Sequence, residues 1–159
     1  FDAGPPQGWT MPPTASIQGG TLTFSGPGHA HFSAGQVRNF RLSFRYLAGQ
    51  DVGAVMMCGG GQPPNTTECA LMMPPGAIGF DLARGGQNQP LVGSGMQWQQ
   101  GQWHTVVVQV SNGQVQVSVN GQTVLSGTIP QPIAGDRFAF AQLEGSGAAF
   151  DDVVLAPSP

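Results

Sequence analysis

The sequence predicts an all-β fold, an antiparallel sandwich of two sheets built from about a dozen short strands. Three observations carry this prediction. Apolar residues recur with a period of two rather than 3.6, which is the spacing of a strand with one buried face. Gly and Pro, 25 and 14 of the 159 residues, fall between the alternating runs, where they act as turn punctuation. Asn112-Gly113 and Asn120-Gly121 are hairpin signals, because both residue types accept positive φ. So much Gly and Pro would also suit a disordered chain, but 40% hydrophobic and only 8% charged residues do not.

Strands are expected first at 20–25 and 29–33, each bounded by turn residues. In 39–47, Phe40, Leu42, Phe44 and Tyr46 alternate with Arg41, Ser43 and Arg45, so one face is apolar and the other polar. The apolar runs 54–58 and 69–73 flank the polar stretch 59–68 and read as a hairpin with Cys58 and Cys69 where the strands enter the loop. A disulfide there would contribute about 3 kcal/mol by restricting the unfolded chain. The alternative is two buried thiols. A disulfide implies an oxidising, extracellular or cell-surface setting. The loop also holds the glycosylation sequon Asn65-Thr66-Thr67.

Further strands are expected at 76–82 and 89–93. Residues 102–128 then read as three antiparallel strands joined by two tight turns. Val106, Val108 and Val110 share one face, as do Val115, Val117 and Val119, with Gln114 and Gln116 opposite the latter. The last strands are expected at 136–143 and 148–155. No window gives an amphipathic helix, and no internal repeat suggests a propeller. One domain is expected over 1–155, with Ala156-Pro157-Ser158-Pro159 opening a Pro-rich linker or tail. The chain opens on Phe1 with no signal peptide, as expected of a mature or excised domain.

The net charge is −3, and the five basic residues are scattered arginines. That distribution argues against nucleic acid and against anionic membrane surfaces as partners. No apolar run approaches the ~18 residues of a membrane-spanning helix, so no membrane insertion is expected.

Several short motifs, taken together, resemble one superfamily. They are Gln102-Trp103-His104-Thr105, the strand Gly113 to Val119, and Asn120-Gly121-Gln122-Thr123-Val124. The opening residues Phe1-Asp2, Gly8-Trp9 and Gly19-Gly20-Thr21-Leu22 add to them, as does the ending from Ala149 to Leu155. This order resembles the concanavalin A-like lectin/glucanase superfamily, including laminin-G-like and 3-keto-disaccharide hydrolase-type domains. The resemblance implies a jelly-roll sandwich. It leaves lectin, glycosidase, adhesion and receptor functions open.

Laminarinase-like members of the superfamily carry their acids as E-x-D-x-x-E, a pattern missing here. The only glutamates are Glu68 and Glu144. Structural calcium, common in the superfamily, would draw on Asp2 and Asp152 if the first and last strands pair. By alternation, Asp152 would face inward with Phe150 and Val154. His29-Ala30-His31 puts two imidazoles on one strand face, about 7 Å apart. With His104 they could hold zinc, or they could be polar strand residues.

Trp98 lies in a polar loop, which makes it the candidate platform for stacking a sugar, with Gln97, Gln99 and Gln100 as hydrogen-bonding neighbours. Trp103 reads as the start of a core strand, and Trp9 as packing near the N-terminal strand. Arg41, Arg45, Gln114 and Gln116 could line a sheet face that binds hydroxyl groups. Of Met56, Met57, Met72 and Met73, one of each pair should be core and the other available for contact. The leading expectation is a non-catalytic extracellular module that binds a polysaccharide or glycan. The alternatives are a structural or interaction module that contacts another cell-surface protein, and a sugar-active hydrolase.

Overall fold

A computed structural model describes residues 7–35, 38–49, 54–59, 67–74, 77–84, 87–92, 98–129, 133 and 135–158. In chain order the strands are β1 (Trp9–Thr10), β2 (Ala15–Gln18), β3 (Thr21–Phe24), β4 (Gly28–Ser33), β5 (Phe40–Leu47), β6 (Ala54–Gly59) and β7 (Thr67–Met73). They continue as β8 (Gly79–Arg84), β9 (Gln87–Val92), β10 (Trp103–Ser111), β11 (Gln114–Val119), β12 (Gln122–Thr128), β13 (Arg137–Gln142) and β14 (Ala149–Pro157). Among the described residues there is no helix.

The strands form two seven-stranded sheets. The first runs β1-β4-β13-β6-β7-β8-β9 and the second β12-β11-β10-β5-β14-β3-β2. All the pairings are antiparallel, so the expected two-sheet sandwich is what forms.

The core lies where the sequence alternation put it. Phe40, Leu42, Phe44 and Tyr46 of β5 are buried beside Val106, Val108 and Val110 of β10 and Val115, Val117 and Val119 of β11. From the opposite sheet, Phe138, Phe140, Leu71, Met73 and Phe80 close the space. Phe40 meets Phe138 edge-on at 5.0 Å, and Phe44 meets Phe140 at the same distance. Each such fully buried large side chain contributes about 1.5–3 kcal/mol.

Both Asn-Gly turns form with positive φ throughout: Asn112 48°, Gly113 76°, Asn120 50° and Gly121 81°. That signature suits two-residue hairpins, whose twist matches that of the strands they join. Cys58 and Cys69 face each other in register across β6 and β7, and they form the disulfide with Cα atoms 5.1 Å apart.

The boundaries differ from expectation in two places. β1 and β2 precede the first expected strand; they are two and four residues long, too short for alternation to reveal. At the other end β14 runs past 155. Ala156 and Pro157 pair with Arg41 and Phe40, and the Ser158 N–H donates to Asn39 O. The residues expected to open a tail are therefore partly sheet.

Candidate functional site

The outer face of the second sheet gathers most of the polar residues singled out in the sequence. In β5 the inward Phe40, Leu42, Phe44 and Tyr46 force Arg41, Ser43 and Arg45 to the outside. Register then places Arg41 beside Gln109, Gln109 beside Gln116, and Gln116 beside Ser126. These four residues form a polar row across β5, β10, β11 and β12. Next to it, Gln114 pairs with Ser111 on one side and Thr128 on the other.

A shallow groove of about 260 Å³ runs here, lined by Gln109, Ser111, Gln114, Val115, Gln116 and Ser126. Two of its carboxamides are tied at their nitrogens. Gln109 Nε2 donates to Ser158 Oγ at 3.3 Å, and Gln114 Nε2 donates to Thr128 Oγ1 at 3.2 Å. Their oxygens remain as acceptors, which suits ligand hydroxyl donors.

Farther along the same face, the Arg45 guanidinium lies over the Trp103 ring at 4.7 Å, and Arg45 Nη1 is 3.7 Å from Asp152 Oδ2. Trp103 begins β10, the core strand expected there, and its side chain is half-buried on the outer face, because it shares the parity of Thr105, Val107 and Gln109. That parity was readable in the sequence, and so were Gln109 and Ser111. Ser126 depended on a register that the sequence does not fix: a bulge at Val117/Ser118 shifts β12 against β11.

Trp98 is corrected. It is only 7% exposed and belongs to the core. Its Nε1 donates to Ala77 O at 2.8 Å, and its ring meets Tyr46 and His104 edge-on at 5.1 and 5.2 Å. The indole covers the Tyr46–His104 pair, and no ring face is left for a sugar. Burial there pushes the Tyr46 hydroxyl up to about 12. Gln99 is exposed, but its backbone meets His104 Nε2, with the N–H at 3.2 Å and the carbonyl at 3.4 Å. Gln97, Asp2 and Asn65 lie outside the described residues.

Asp152 is corrected as well. A bulge between Asp151 and Val154 breaks the alternation, so Phe150 is buried while Asp152 and Val154 are exposed. Asp152 takes φ 48°, its N–H donates to Asp151 Oδ1 at 2.8 Å, and its carboxylate faces Arg45. That cation competes with any metal for Asp152. Among the described residues no group of three His, Cys, Asp or Glu could hold a metal ion.

The three histidines are not brought together. His29 and His31 stack at 6.1 Å on β4 of the first sheet, whereas His104 lies buried in β10 of the second. Asn120 fixes His104 through its Nδ2, 3.3 Å from His104 Nδ1. His31 is buried, its Nδ1 has no hydrogen-bond partner among the described residues, and burial, then Arg137 and His29, hold its pKa below the usual 6.5. Beside it in register, Ala139, Ala141 and Ala70 form a small buried apolar cluster with Met72 packed on it. Met73 points the other way, into the core, as adjacent strand residues must.

A protein-family profile, the 3-keto-alpha-glucoside-1,2-lyase-like domain, matches residues 1–155. The chain belongs to this family. Among solved structures, it is similar to the carbohydrate binding module CBM66 from Bacillus subtilis, at 11% identity and TM-score 0.75 over 95% of this chain and 96% of that one. It is also similar to the exoplasmic/lumenal domain of VIP36 in its Ca2+/Man-bound form, at 10% identity and TM-score 0.77 over 94% and 83%. A sialidase aligns at 16% identity and TM-score 0.69 over 95% of this chain, which spans only 17% of that protein. No curated protein matches the sequence. These likenesses bear on the fold: family and neighbours agree with the concanavalin A-like jelly roll read from the motifs.

Proposed function

We propose that this member of the family is a non-catalytic, extracellular carbohydrate-binding module that holds a glycan along the outer face of its second sheet. The observation that carries this reading is the groove over β10, β11 and β12, where Gln109, Ser111, Gln114, Gln116 and Ser126 present a row of neutral hydrogen-bonding groups. Neutral acceptors and donors in a shallow groove match a polyhydroxylated chain that brings its own hydroxyl protons. The Man-bound VIP36 domain and the carbohydrate binding module support the ligand class, and the Cys58–Cys69 disulfide supports the setting.

The test is a glycan array followed by calorimetric titration of the best ligand. Replacing Gln109 and Gln116 together by Ala is expected to weaken binding at least about tenfold, since each lost hydrogen bond contributes about 1 kcal/mol. Absence of binding to every glycan, or full affinity in the double variant, refutes it. The family description favours a second reading, a sugar-active enzyme. Release of free sugar from a 3-keto-α-glucoside, absent in a no-protein control, would establish it.

A further inference from the structure

The polar face carries two arginines in different states. Arg45 is engaged, with Trp103 beneath it and Asp152 beside it. Arg41 is exposed and, among the described residues, has no hydrogen bond or ion pair. Its cross-strand neighbours are Gln109 and Ala156, and Ser43 follows it on the same face. None of these is charged. Among the described residues the carboxylates of this face, Asp151 and Asp152, lie at the Arg45 end, about 13 Å along the strand. Arg41 is thus, among the described residues, a cation without a charge partner at the rim of a neutral groove, in a chain whose net charge is −3.

Isolated positive charge beside hydroxyl-binding groups has a specific chemical complement. A guanidinium offers paired N–H donors in a plane, which match the two oxygens of a carboxylate or of a sulfate ester. From the groove proposed above, and resting on that reading, we infer that Arg41 selects an acidic sugar residue. The ligand class is a polysaccharide bearing carboxylate or sulfate, with its hydroxyls on Gln109 and Gln116 and its anion on Arg41.

The experiment measures binding of the whole domain to matched polymer pairs at low and high salt. One pair is polygalacturonate and its fully methyl-esterified form; the other is a sulfated galactan and its desulfated form. The wild type is expected to prefer one acidic member by about fivefold, the upper range for an exposed ion pair, and the pair that shows the preference identifies carboxylate or sulfate. High salt should remove that preference. Arg41→Gln should abolish it, so that the acidic and neutral members of the pair bind alike. Arg41→Lys should keep the salt dependence but lose part of the preference, because an ammonium lacks the planar fork.

Equal affinity of the wild type for acidic and neutral members overturns the inference and leaves the groove reading standing. So does a preference that survives Arg41→Gln. Absence of binding to all four polymers and to every arrayed glycan overturns both. Arg41 is exposed and, among the described residues, has no hydrogen bond or ion pair, so an unchanged thermal midpoint is expected for either variant and separates a binding effect from a folding one.

Discussion

At the scale of single residues, His31 shows how alternation can bury a titratable ring while leaving its Nδ1 without a hydrogen-bond partner among the described residues. Its place on β4 is fixed by Ala30 and Phe32, which turn to the other side of the strand. The imidazole is left against Ala139 in register, with His29 and Arg137 as its charged or chargeable neighbours. Desolvation disfavours the imidazolium, so the folded chain takes up its proton at lower pH than the unfolded chain does. The stability linked to His31 is therefore fully present above about 6.5 and is lost as the pH falls through the lowered folded value. Denaturant unfolding at a series of pH values should show the wild type losing more stability below 6.5 than His31→Gln does. Parallel curves would contradict this account. Trp98 teaches the complementary lesson. Its neighbours in sequence are polar, yet its ring covers Tyr46 and His104, because the open end of a sandwich demands apolar cover whatever loop supplies it.

At the scale of elements, the β10–β11–β12 meander was the most legible part of the sequence. The alternating buried valines of β10 and β11 and two Asn-Gly turns leave little freedom for strand, face or turn type. Asn120 does more than permit a positive φ. Its Oδ1 accepts from the Thr105 N–H at 2.9 Å, its own N–H donates to Thr105 O at 2.8 Å, and its Nδ2 reaches His104. Asn120→Ala places a Cβ-bearing residue without an amide at φ 50° and removes two side-chain contacts. A loss of about 2 kcal/mol is expected in urea unfolding, against a few tenths for Gln122→Ala on the same exposed turn. The less legible elements failed for identifiable reasons. β1 and β2 are too short to show a period, and the bulges at Val117/Ser118 and Asp151/Val154 reverse parity without leaving a Gly or Pro to mark them. The second bulge is why Asp152 reads inward in the sequence and stands outward in the fold.

At the scale of the whole molecule, composition and periodicity were enough for two antiparallel sheets around an aromatic and valine core. They were not enough for the site, because Arg41, Gln109, Gln116 and Ser126 come from four strands and meet only through register. The disulfide was readable because its cysteines sit at equivalent positions of one hairpin. It spans a sequence separation of 11 and joins strands already paired in the sheet. Replacing Cys58 and Cys69 together by Ser should lower global stability by about 3 kcal/mol while leaving the distant β10–β12 face intact. Calorimetry should show a midpoint lower by roughly 10 °C, with unchanged glycan affinity measured well below the transition. An unchanged midpoint would mean that the hairpin is already held by its ladder alone.

The position of β14 has a mechanical meaning. The strand lies inside its sheet, between β5 and β3, and not at an edge. Its ladder to β5 reaches from Ala149 to Pro157, and its ladder to β3 adds Ala149 and Phe150. Tension along the chain at Pro157 therefore loads the many bonds of the β5 ladder together in shear, with the β3 ladder behind them. An edge strand pulled from its end would instead peel away one bond at a time. The length of the β5 ladder suits the end of β14 to bear a pull.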